Sequence, residues 1–139
     1  IARTFRGVAR WWLGRPGWRQ DLDDAVEMAR NSDPTTMALV VAWTQLSLMY
    51  GVLRLDDAVL RMVEESTAIA EACSNDFAVM GAKFTLGTTL LFRDDVAERH
   101  RGEDLMVLAR DESLPVRAPS LVPVARLMVA REGARRGDL

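Results

Sequence analysis

The sequence has a single cysteine, Cys73, a single histidine, His100, and a single lysine, Lys83, in 139 residues. One cysteine makes no internal disulfide, and one histidine with one cysteine cannot complete a zinc set. No apolar run approaches the ~18 residues of a membrane span, which excludes insertion as a helix. No charged start, apolar stretch and small-residue cleavage site mark a secretory leader, so a reducing cytoplasm is the expected location. The nucleotide and nucleophile signatures are missing too: no P-loop, no G-x-G-x-x-G after a strand, no G-x-S-x-G elbow. No catalytic residue, metal or cofactor is expected, and the chain is read as a non-enzyme. The formal charge of −2 lacks the basic footprint of a nucleic-acid binder, so nucleic acid is not an expected partner.

What is present is ordinary for a globular chain: 49% hydrophobic and 27% charged residues, at a length that suits one domain spanning residues 1–139. The chain opens on Ile1 rather than Met, and all its other basic residues are arginine. These two features lead us to expect a piece of a longer protein from a GC-rich, actinobacterial-type genome.

Helix-type spacing dominates, and no segment of four to eight β-branched and aromatic residues alternates strictly, so the expected fold class is all-α. Punctuation predicts about seven helices, over 2–13, 18–31, 34–50, 55–74, 77–92, 94–110 and 119–132. Gly14-Arg15-Pro16-Gly17 breaks the first from the second. Asp33 before Pro34 is a cap followed by the residue best suited to a first helical position. Ser74-Asn75-Asp76 repeats that logic, and Asp95 with Glu98 reads as a capping box. Ser113 to Pro119 reads as a loop, after which Pro123 falls in the first turn of the last helix.

The five residues LDDAV occur at Leu22–Val26 and again at Leu55–Val59, 33 residues apart. A Leu-small pair recurs at Leu13-Gly14, Leu46-Ser47 and Leu86-Gly87. Short loops and self-similarity at this period indicate antiparallel helix pairs stacked as repeats. The paired acids Asp23-Asp24, Asp56-Asp57 and Asp94-Asp95 point about 100° apart on a helix and read as solvated residues near helix starts rather than an acid/base site. Cys73 reads as a small core residue and His100 as a partly buried, hydrogen-bonded one. Trp43 reads as packing, and one of Trp11 and Trp12 as cover for an end of the array. Arg3, Arg6 and Arg10, like Arg131, Arg135 and Arg136, read as solvated faces.

The segment Trp43 to Tyr50 spells W-x2-L-S-x2-Y, which resembles the first-helix signature of tetratricopeptide repeats with Ser for Gly, and Ala58 stands where that family needs a small residue. "FTLGTTLLFRDD" and "VAREGARRGDL" are similar to the C-terminal repeat regions of actinobacterial signalling proteins that join a class III adenylate cyclase or a LuxR-type regulator to an AAA-type ATPase. The resemblance implies a right-handed superhelix of helix pairs, a TPR-like α-α solenoid. It also implies a non-catalytic protein-interaction or scaffold module within a cytoplasmic regulatory protein, with homo-oligomers possible. The alternative is an effector-sensing domain that binds a small molecule in the groove. By the tetratricopeptide pattern the concave groove is lined near Val41, Thr44 and Leu48 in one unit and Phe84 and Thr88 in the next, with Gln45 and Lys83 adjacent.

Overall fold

Four helix starts are set by side-chain caps. In a computed structural model, which describes residues 1–45, 47, 55–73 and 75–138, Asp33 accepts the Thr36 N–H at 3.0 Å. Asp56 accepts the Val59 N–H at 2.9 Å, Asn75 that of Ala78 at 3.0 Å and Asp95 that of Glu98 at 2.8 Å. Each cap satisfies an amide that the helix cannot pair internally. The resulting elements are α1 (Ala2–Trp12), α2 (Trp18–Arg30), α3 (Pro34–Gln45), α4 (Asp57–Ala72), α5 (Asp76–Leu91), α6 (Val96–Leu108), α7 (Leu114–Arg117) and α8 (Val122–Arg136). There is no strand among the described residues, so the fold is all-helical. No helix among them is long and apolar enough to cross a membrane.

Helices adjacent in sequence pack in pairs from α1 to α6, while α5 also meets α3 and α8 packs on α6. Two apolar clusters meet along α5. One joins Ala25, Val26, Val40, Val41, Leu60 and Val63 of α2 to α4 with Leu86 and Leu90 of α5. The other joins Met80, Phe84 and Leu91 of α5 to Met106, Leu114, Ala125 and Met128. Serving both clusters requires α5 to be apolar around most of its circumference, which is how its sequence reads. Leu90 and Leu114 are fully buried, each contributing about 1.5–3 kcal/mol by removal from water.

Small side chains let the central helices close up. Ala38 of α3, Ala70 of α4, and Ala78 and Ala82 of α5 form a third cluster. Hydroxyls stitch its borders, Ser66 donating to the Ala38 carbonyl at 3.4 Å and Thr85 to the Ala42 carbonyl at 3.3 Å. α5 and α6 approach still more closely, because a Cβ on Gly102 would lie 2.9 Å from the Gly87 carbonyl oxygen.

The structure corrects several sequence expectations. Ser113 to Pro119 is not a loop: α6 widens into a π-helical turn over Ala109–Ser113, continues as α7, and gives way to a 3-10 turn over Pro119–Leu121. The wider turn directly precedes Pro115, where an α-helical carbonyl four residues back would collide with the ring. Pro123 does fall in the first turn of α8, which runs on to Arg136.

The two LDDAV copies are not equivalent. Leu22, Ala25 and Val26 are buried within α2, but the second copy straddles a helix start, with Asp56 as the cap and Ala58 exposed. The cap fixes where α4 begins and so rotates its LDDAV out of the register of the first. Leu13-Gly14 lies in the turn after α1, with Leu13 68% exposed, whereas Leu86-Gly87 is buried inside α5.

Cys73 is half-buried at the C-terminal end of α4 rather than in the core, and His100 is exposed. At the Asp95 start, Glu98 turns to Arg93 at 2.8 Å, so only half of the capping box forms. The arginine runs are not free faces either. Arg6 and Arg10 hold Asp21, Arg3 holds Asp24, Arg135 meets Glu132 at 3.3 Å, Arg136 pairs with Glu103, and Arg131 stacks on Phe92.

Candidate functional site

Between α3, α5 and the 3-10 turn lies a cleft of about 110 Å³ with an almost wholly apolar lining. Leu39, Ala42 and Trp43 form one wall, from the face of α3 that looks away from α2. Phe77 and Gly81 form the other wall, with Met80 and Phe84 beneath them. Ala118, Ser120 and Leu121 close one end.

Local chemistry puts each wall in place. The Asn75 cap starts α5 just before Phe77, leaving that ring on the first turn and 42% exposed. Arg117, the last residue of α7, reaches back to Asp76 at 2.5 Å and ties the end of the α6–α7 segment to the start of α5. That tie brings the 3-10 turn to the mouth of the cleft. On the opposite side, Phe5 of α1 is half-exposed and packs on Trp43, ring centroids 5.8 Å apart. An apolar strip thus runs from Phe5 through Trp43 and Leu39 to Phe77 and Leu121.

The lining has no charged side chain. Its buried hydroxyl, Thr85, is spent on the Ala42 carbonyl. The site offers shape and apolar surface, with the exposed Ser120 at its end as a neutral polar group. Among the described residues no three His, Cys, Asp or Glu side chains converge to hold a metal.

The residues expected to line a groove are dispersed. Phe84 alone reaches the apolar cleft. Val41 is 1% exposed and belongs to the α2–α5 core. Thr44 is buried and shares a 3.4 Å hydrogen bond with Thr4 of α1. Gln45 is buried with its Oε1 unpaired among the described residues, and with Thr44 borders a larger, charged depression between α2, α3 and α4. Thr88 is 1% exposed and donates its proton to the Phe84 carbonyl at 2.9 Å, a local bond inside α5. Lys83 lies outside the cleft, paired with Glu71 at 2.9 Å. Leu48 lies outside the described residues.

The physical reason is one of register. Leu39, Ala42 and Trp43 sit roughly half a helical turn around α3 from Val41, Thr44 and Gln45 at 100° per residue. Trp43, read as packing, is itself a wall of the cleft. One signal for the cleft is in the sequence: an isolated glycine, Gly81, inside an apolar helical stretch, which needs a packing or functional reason.

No protein-family model, curated protein or solved structure matches this chain.

Proposed function

We propose that the chain is a TPR-like stack of helix pairs, coiled as a right-handed superhelix, that serves as a non-catalytic protein-interaction module of a larger cytoplasmic signalling protein. The observation that carries this reading is the uncharged apolar strip Phe5–Trp43–Leu39–Phe77–Leu121, which crosses three helices and a turn and leaves two phenylalanines half-exposed. Contiguous apolar surface of this kind marks contact sites rather than solvated faces. The family resemblance of Trp43 to Tyr50 supports the repeat assignment, and that of the C-terminal stretches supports a setting beside an adenylate cyclase or LuxR-type ATPase. The groove sits at Leu39 and Trp43 instead of the positions that the tetratricopeptide pattern gives.

Site-specific photocrosslinking tests the reading. A benzophenone amino acid at Phe5 or Phe77 is expected to trap a discrete protein partner, or a neighbouring domain of the full-length protein, while the same group at exposed Arg61 on α4 traps none. Equal adducts at all three positions, or none at Phe5 and Phe77, would refute it.

A second reading, effector sensing, is favoured by the depth of the cleft below the strip, where Phe84 is only 1% exposed yet lines the space.

A further inference from the structure

Glycine inside a helix is destabilising relative to alanine, so an interior glycine calls for a steric reason. Gly102 and Gly87 of the α5–α6 contact have one: a Cβ on Gly102 would lie 2.9 Å from backbone oxygen, and one on Gly87 would lie 3.1 Å from Met106. Gly7 of α1 has one as well, since a Cβ there would meet Leu22 at 2.8 Å and the Trp18 carbonyl at 3.0 Å. Gly81 has none. A Cβ at that position would meet only the Ala42 Cβ, at an unstrained 3.9 Å, and would project into the cleft. The packing of the protein does not require the glycine, but the emptiness of the cleft does.

We propose that the cleft between α3 and α5 is a small-molecule binding site for an uncharged, ring-bearing apolar compound, kept open by Gly81. This goes beyond the protein-interaction reading and does not depend on it. The chemistry of the ligand follows from the walls. Trp43, Phe77 and Phe84 present aromatic surface, against which an aromatic or fused-ring body packs by offset or edge contacts. The Thr85 hydroxyl has already given its proton to the Ala42 carbonyl, so an acceptor pushed inward would lose its water without gaining a donor. A charged ligand is disfavoured most, because the lining has no counter-charge. One neutral hydroxyl or carbonyl is tolerated at the end where Ser120 is exposed.

The probe for the test is N-phenyl-1-naphthylamine, which is neutral, apolar and fluorescent when removed from water. The full chain is expected to bind it saturably at one site. Gly81→Leu, which places a branched side chain in the cleft, is expected to weaken binding at least about ten-fold while circular dichroism and Tm show a folded protein. Should Gly81→Leu fail to fold, Phe77→Ala removes a half-exposed wall and is expected to weaken binding about three-fold or more. Trp12→Ala, which deletes an exposed ring outside the cleft lining, is expected to leave affinity unchanged. Unaltered binding by folded Gly81→Leu or Phe77→Ala would overturn the proposal. So would loss of binding in Trp12→Ala, non-saturable uptake, or equal affinity for the anionic analogue 8-anilinonaphthalene-1-sulfonate. None of these results bears on whether a protein is crosslinked at Phe5.

Discussion

Arg6 of α1 grips the buried carboxylate of Asp21 on α2 with two parallel hydrogen bonds, 3.1 Å from Nε and 2.5 Å from Nη2. Arg10, one turn further along, donates to the same carboxylate at 2.8 Å. Because α1 buries only Thr4 and Gly7 fully, this charge clamp supplies much of what fixes it to α2. A bidentate guanidinium–carboxylate pair also sets orientation, which an apolar contact between small residues does not. The same helix carries Phe5 to Trp43, about 100° around α1 from Arg6.

The clamp makes stability depend on acid. Hydrogen bonds from Arg6, aided by the charges of Arg10 and Arg3, hold the Asp21 carboxyl below its ordinary value of 3.8. A depressed folded value means that the contribution is fully present above the unfolded value and is lost as pH falls through the folded one. Tm of the wild-type chain is expected to fall below about pH 4, and Asp21→Asn is expected to lower Tm at neutral pH and flatten that acid limb. A variant whose acid limb matched the wild type would show that other carboxylates govern it. Glu103, held low by its hydrogen bond to Arg136, contributes in the same direction and is the control substitution.

Caps should account for a second, separable part of stability. Asp56→Ala, Asn75→Ala and Asp95→Ala each remove one side-chain acceptor from a helix start, at a cost of about 1 kcal/mol apiece. Asn75→Ala is expected to do more than the others to the cleft, since it frees the turn bearing Phe77 and the Asp76–Arg117 tie. Urea denaturation gives the cost of each change, and probe affinity gives the effect on the cleft. If Asn75→Ala and Asp95→Ala weakened probe binding equally, the link between that cap and the cleft wall would fail.

These caps also mark what was legible in the sequence. Asp33, Asn75 and Asp95 were readable as starts because a short acceptor followed by an apolar periodic run has one structural use. The cleft was harder to read. α3 and α5 are apolar on nearly every face, so periodicity has no polar side to contrast with and cannot separate Val41, a core residue, from Leu39, a cleft residue. The tetratricopeptide register points to the opposite face of α3 from the one that lines the cleft. The ion pairs of the arginines are hidden for a related reason: Arg6 and Asp21 are 15 positions apart, and nothing local in the chain reveals that a turn at Gly14 to Gly17, with positive φ at both glycines, folds one onto the other. Pro115 and Pro119 predict a loop, but a π turn and a 3-10 start accommodate them.

Close packing of α3 on its neighbours predicts a strong size limit. Ala38 is fully buried among Ala70, Ala78 and Ala82, and its carbonyl accepts from Ser66. Ala38→Leu would wedge α3 from α4 and α5 and is expected to cost about 1–3 kcal/mol, since the buried residues that meet it are alanines, which have no side chain to rotate away. The same enlargement at Ala68, exposed on α4, should change stability by less than about 0.5 kcal/mol. Chemical denaturation of the two variants side by side checks it, and equal losses would mean that the alanine cluster is not close-packed.

The glycines of α5 and α6 provide a sharper contrast, because the same substitution is predicted to have opposite signs within one pair of helices. Gly102→Ala places a Cβ 2.9 Å from the Gly87 carbonyl oxygen and 3.0 Å from the Leu91 nitrogen, and backbone atoms cannot rotate away as a side-chain tip can. The helices must separate, at an expected cost of about 1–3 kcal/mol. Gly81→Ala meets only the Ala42 Cβ, at 3.9 Å, and replaces the poorest non-proline helix former with the best in a helix interior, so a gain of about 0.5–1 kcal/mol is expected. Denaturation midpoints of the two variants decide the matter. Were Gly81→Ala destabilising, the glycine would have a packing role, and the inference that it is kept to hold the cleft open would lose its footing. If it stabilises while weakening probe binding, the chain gives up stability at that position to keep the cleft empty.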